Sequence, residues 1–174
     1  MFSDRIKTIS AVILVVCVLI FVGEALGDHR RLPGKVASHF DENGMADGWM
    51  SRSAFTGTML AVGIGLPLLI MGIMYSFRIF PVRYSTISSS SYWRDPGGYE
   101  KACDFLFVSS FWFGSALLLW QTWLCHMLAE ANLVSPPRLD RTEASALTVL
   151  LLVFSFAWPA VLIVCLLRSG RRRS

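Results

Sequence analysis

Four stretches of about twenty residues, each nearly free of charge, constrain this chain more than any other feature of it. They run over residues 8–26, 55–77, 105–128 and 146–167. A bilayer core of about 30 Å takes about twenty helical residues to cross. Helix is the only form a single span can take, because hydrocarbon offers no partner to an unpaired backbone group. Composition agrees: 54% of the 174 residues are hydrophobic and only 16% are charged, where soluble domains carry about a quarter. The sequence therefore predicts an all-α integral membrane protein, one membrane domain over residues 1–174 with four transmembrane helices and no soluble domain.

The first stretch also resembles a secretory leader, with a basic start over residues 1–7 and small residues at Ala25 and Gly27. It is longer than a usual signal core, and Glu24 sits awkwardly before the cleavage position, so retention as a span is expected. Lys and Arg set the orientation. Arg5, Lys7, Arg78, Arg83, Arg94, Lys101, Arg168, Arg171, Arg172 and Arg173 fall on one side; Arg30, Arg31, Lys35, Arg52, Arg138 and Arg141 fall on the other. Ten against six places both termini in the cytoplasm and the loop between the first two spans outside, by the positive-inside rule. The expected location is the bacterial inner membrane, with the bilayer as the first partner.

The net charge of +4 has a matching cause, since basic tails anchor to anionic lipid heads. No basic surface interleaved with aromatics suggests nucleic acid. Cys17, Cys103, Cys125 and Cys165 lie in or at the ends of spans, where a thiol behaves as a small apolar side chain.

Gly57, Ala61 and Gly65 recur every four residues and share a face of the second span; Ser110 and Gly114 make a similar notch in the third. Small residues at that spacing allow close helix approach, so these two faces are expected to pack, or to support a homo-oligomer. Pro67 and Pro159 should bend their helices. In the second loop a serine run precedes Tyr92 and Trp93, expected at the interface, and residues 95–98 read as a turn. Pro136 and Pro137 end the third helix, and Thr142 and Ser145 are candidate caps for the fourth.

Chemistry could reside in two places. Gln121, His126 and Glu130 are polar groups within the third span or at its end, where ionisable residues are costly and often functional. His126 and Glu130 are four apart and share a face, whereas Cys125 points about 100° away from His126. The second place is the loop over residues 32–52, "LPGKVASHFDENGMADGWMSR". His39, Asp41 and Asp47 invite a metal site, but no calcium loop with a terminal glutamate and no zinc spacing is present. Neither a nucleophile elbow nor a phosphate loop appears. No catalytic residue, metal or cofactor is expected, and a loop this short must dock on helix ends or a partner.

The order of residues in this loop resembles the signature of the bacterial membrane family DUF1648, which also opens the SdpI-type immunity proteins. Leu32, Pro33, Val36, His39, Phe40, Gly44, Asp47, Trp49 and Ser51 match it, with Arg52 where lysine is usual and Ala46 where proline is usual. A second match joins Tyr92 and Trp93 to Ala131, Asn132, Pro136, Pro137 and Leu139. The resemblance implies a non-enzymatic protein acting in immunity, signalling or recognition of an envelope partner, with Leu32, Pro33, His39, Phe40, Asp41, Gly44, Asp47, Trp49, Ser51 and Arg52 as the recognition and packing loop. SdpI-type proteins carry further spans that this chain lacks. Two rival readings are a small transporter or accessory subunit using Gln121, His126 and Glu130, and a metalloenzyme using His39, Asp41 and Asp47.

Overall fold

Each apolar stretch is helical, and each helix outruns its stretch at both ends. The computed structural model describes residues 3–79 and 96–171. The elements are α1 (Asp4–Arg31), β1 (Lys35–Phe40), β2 (Ala46–Ser51), α2 (Arg52–Ile79), α3 (Pro96–Leu133) and α4 (Arg141–Arg171). All four helices are long and apolar enough to cross a membrane, so the chain is a helical, multi-pass membrane protein. At 1.5 Å per residue, the 28 residues of α1 measure about 42 Å, more than a hydrocarbon core of about 30 Å. The end turns therefore reach the interface, where polar side chains meet water.

Pro96 opens α3, so the expected turn over residues 95–98 is helical from Pro96 on. Proline suits a first helical turn, whose amides have no partner within the helix. The serine run, Tyr92 and Trp93 lie outside the described residues. Both α2 and α4 run unbroken through Pro67 and Pro159.

The bundle core lies among α1, α2 and α3. Cys17, Phe21, Leu118 and Cys125 form its buried centre, with Leu14, Val18, Met59 and Ile64 packed around it. The small residue that matters on α2 is Gly63. A Cβ placed there would lie 2.1 Å from the Phe21 ring, so the ring occupies the space a side chain would fill. The expected stripe of Gly57, Ala61 and Gly65 points elsewhere: all three are exposed, and a Cβ at Gly57 or Gly65 would meet nothing within 4 Å. The physical reason is that α2 turns its Gly63–Pro67 face inward, and both of those residues are buried. On α3 the notch is used. Gly114 lies against Leu14 and Pro67, and the buried Ser110 returns its hydroxyl to the Phe107 carbonyl at 2.6 Å.

Helix α4 stands at the side of this unit. No residue in its 18-residue apolar window is buried within the chain. It meets α3 through Phe154 stacked on Phe113 at 5.0 Å, Trp158, and the Trp120 indole N–H donating to the Leu147 carbonyl at 2.9 Å. Asp140 caps α4, accepting from the Thr142 and Glu143 amides at 2.8 and 3.2 Å; this replaces the expected caps Thr142 and Ser145. A short acidic side chain ahead of the first turn satisfies amides that have no helical acceptor.

The bundle's two ends differ. At one, Asp104 of α3 is held by Lys7 of α1 at 3.3 Å and by Arg78 of α2. At the other, residues 35–51 form an antiparallel two-stranded hairpin with irregular register at Ala37/His39 and His39/Phe40. This hairpin, together with an isolated bridge from Met45 to Arg138, departs from an all-α fold.

Candidate functional site

The hairpin is built from the loop over residues 32–52, many of whose residues serve its own architecture. Leu32 and Val36 are buried with Phe55 of α2 and Ala129 of α3, fastening the hairpin to the bundle. Arg52 donates its backbone N–H to the Gly34 carbonyl and its Nη1 to the Leu32 carbonyl, both at 3.1 Å. Ser51 accepts from the Ala54 amide at 3.2 Å and so caps α2. Asp41 shapes the turn. Its Oδ1 accepts the Asn43 and Met45 amides at 2.8 Å, and these bonds, led by Met45, hold its carboxyl below the usual carboxylate range. Both bonds go to the same oxygen, so Asp41 holds the turn through Oδ1, and His39, Asp41 and Asp47 are not among the described groups whose ligand atoms converge within 4.8 Å.

Gly44 closes the turn with φ +77°, a region that costs a side-chain-bearing residue energy. It also sits against the α3–α4 linker. The Leu139 amide donates to the Gly44 carbonyl at 2.9 Å, and a Cβ at Gly44 would lie 2.5 Å from the Leu139 carbonyl oxygen. The second clamp is Asn132, near the end of α3. Its Oδ1 accepts the Ala37 amide at 2.6 Å, and its Nδ2 donates to the Ala37 carbonyl at 3.0 Å and the Leu128 carbonyl at 2.9 Å. The carboxamide thus completes an edge of β1 that β2 leaves open, which would otherwise carry unpaired backbone groups.

Other side chains of this loop face away from the bundle. His39 pairs with Asp47 across the strands, and Lys35 lies over the Trp49 ring at 5.3 Å; all four are exposed. Phe40 is half-buried and Pro33 exposed. An open groove of about 670 Å³ runs beside the turn, lined by residues including Asn43, Met45, Val134, Pro136 and Arg141.

A second constellation lies about one helical turn further into the bundle. Glu24 and Asp28 are four apart on α1, facing His126 of α3, and their ligand atoms all lie within 4.8 Å of one another. His126 Nδ1 meets Glu24 Oε1 at 3.1 Å, so His126 does not pair with Glu130 as its spacing on α3 suggested. Glu130 instead accepts from Arg31 at 2.6 Å. Arg31 also reaches Asp28 Oδ1 at 3.4 Å. Asp28 is 5% exposed, and its Oδ2 has no hydrogen-bond partner among the described residues; nor has Gln121 Nε2. Cys125, adjacent to His126, is buried on a different face. His29 meets the Thr56 hydroxyl at 2.9 Å, joining α1 to the start of α2.

Sequence reasoning found His126, Gln121 and Glu130 but missed Glu24 and Asp28 as a pair. The signal was available: two acids at i,i+4 in the last turns of an otherwise apolar helix share a face. Asn132 was matched only as part of a motif, and its bond to a strand 95 residues away has no local signature. Comparison of the chain with family profiles, with curated proteins and with solved structures gives no match.

Proposed function

We propose that this chain is a non-enzymatic protein of the bacterial inner membrane that recognises a protein or peptide partner through the β1–β2 hairpin on the outer side. The observation that carries the reading is the division of the hairpin into two faces. One is fixed to α3 and the α3–α4 linker by Asn132, Gly44 and the Leu32–Val36 anchor. The other presents His39, Asp47, Trp49 and Lys35 to solvent. A rigid scaffold displaying an aromatic and paired charges loses little conformational entropy on binding, and aromatic residues are the usual anchors of an interface. The resemblance to the SdpI-type signature favours immunity or signalling as the physiological setting.

The test is site-specific photocrosslinking in living cells from position 49, beside labelling of a cysteine at position 42 by a membrane-impermeant reagent. The reading expects outside labelling, and a crosslinked partner that is lost when His39 and Asp47 are replaced by alanine. Labelling only from the inside, or crosslinks confined to lipid and unchanged in the variants, would reject it. A second reading, a small transporter or accessory subunit, rests on the buried Gln121 amide and the ionisable groups of α1 and α3; flux assays on Gln121→Ala vesicles test it.

A further inference from the structure

We propose that Glu24, Asp28 and His126 bind a divalent transition-metal cation, with zinc the best match to the donor set. Three observations combine. The ligand atoms lie within 4.8 Å of one another, and the His126 Nδ1 to Glu24 Oε1 distance is 3.1 Å. Zinc bonds of about 2.0–2.2 Å in a tetrahedron require ligand atoms about 3.4 Å apart. One edge is within about 0.3 Å of that length, and the others, at no more than 4.8 Å, exceed it by an amount that small side-chain rotations would have to close.

The second observation is the orphaned oxygen. Asp28 is buried, Arg31 engages its Oδ1, and its Oδ2 has no partner. Leaving a buried carboxylate oxygen unpaired is costly, and a cation placed between the three residues supplies what is missing. Arg31 then takes the role of an outer partner that orients a metal-ligating carboxylate. It is itself steadied by Glu130 at 2.6 Å.

The third is charge. Among the described residues of this cluster, the carboxylates of Glu24, Asp28 and Glu130 stand against the guanidinium of Arg31, a formal excess of two negative charges of which a protonated His126 ring would offset only one. A divalent cation offsets that excess without a proton. One imidazole nitrogen and two carboxylate oxygens suit zinc better than calcium, which takes six to eight oxygens, or magnesium, which keeps most of its waters. Three protein ligands leave a fourth position for water or another donor, and Glu24 and His126 are partly exposed. Such a site can exchange its metal or accept a donor from a partner.

The experiment uses the full chain in detergent, purified without a histidine tag, stripped with chelator and titrated with zinc against a chromophoric competitor. One zinc per chain is expected, with Asp28→Asn and His126→Ala each weakening binding by about ten-fold or more. Helicity by circular dichroism identifies folded variants, and Glu24→Gln, at a more exposed position, serves where Asp28→Asn fails to fold. X-ray absorption of the zinc-loaded protein should show only nitrogen and oxygen neighbours. No stoichiometric binding, binding that survives both Glu24→Gln and His126→Ala, binding lost in His39→Ala instead, or a sulfur neighbour would each overturn the assignment.

Discussion

Replacing Asn132 by alanine removes the carboxamide that completes β1, and the consequence can be worked from the bonds it makes. Two of them satisfy the amide and carbonyl of Ala37, a residue with 0% exposure. The third, to the Leu128 carbonyl, is dispensable, because that oxygen also receives the ordinary helical amide. Two buried backbone groups lose their partners at about 1–3 kcal/mol each, so the hairpin edge is destabilised by about 2–6 kcal/mol. Since about 1.4 kcal/mol is tenfold, local opening at Ala37 becomes about 25-fold to about 20,000-fold more frequent. Amide hydrogen exchange followed by mass spectrometry reads this, because exchange at a protected amide reports the local opening equilibrium. The Asp41–Met45 turn, held separately through Leu139, should be affected less, and helicity should hold. Unchanged exchange at Ala37 in Asn132→Ala would refute the clamp.

Other outcomes follow from the same contacts. Gly63→Ala should destabilise the bundle by about 1–3 kcal/mol through overpacking against Phe21, while Gly57→Ala and Gly65→Ala leave thermal stability in detergent unchanged or slightly raised, since alanine favours helix over glycine. In Gly44→Ala the backbone strain of a left-handed residue, about 1–2 kcal/mol, adds to the clash with Leu139, so proteolytic nicking of the turn should rise while the helices persist. Asp41 has a depressed carboxyl, so its contribution to the turn is fully present above the unfolded pKa of about 3.9 and is lost as pH falls through the lower folded value. The Asn43 and Met45 amide shifts should titrate in that acid window, and Asp41→Asn should abolish the titration. Asp140→Ala should cost about 0.5–2 kcal/mol at the start of α4, read as faster exchange at Thr142 and Glu143.

Length and hydropathy made the spans legible, because a bilayer imposes the same requirement on every helix that crosses it. The turn chemistry around Asn43 and Gly44 was legible for a similar reason, since local backbone demands select local residue types. What lay beyond reach depends on partners distant in sequence. The four-residue spacing of Gly57, Ala61 and Gly65 says that one face of α2 is small; it does not say which face meets α1. Phe21 makes that choice by inserting at Gly63. In the same way, the spacing of His126 and Glu130 permitted a pair, and the approach of α1 redirected each to a different partner: Glu24 and Arg31. The sequence marks residues 32–52 as a docked loop and does not reveal its strands, because their irregular register breaks the alternation that marks a strand in sequence.

The separation of Ala37 from Asn132 by 95 residues has a consequence for assembly. During synthesis the hairpin emerges long before either of its clamps, since α3 and the linker through Leu139 must follow. Until they arrive, the backbone of Ala37 has only water for company. Closing so long a loop is slow relative to forming a helix, so the clamp on Ala37 sets later than the helix that carries it. Its clamped edge therefore reports that α3 has been seated, and a chain halted after α2 would lack both the Asn132 and the Leu139 contacts.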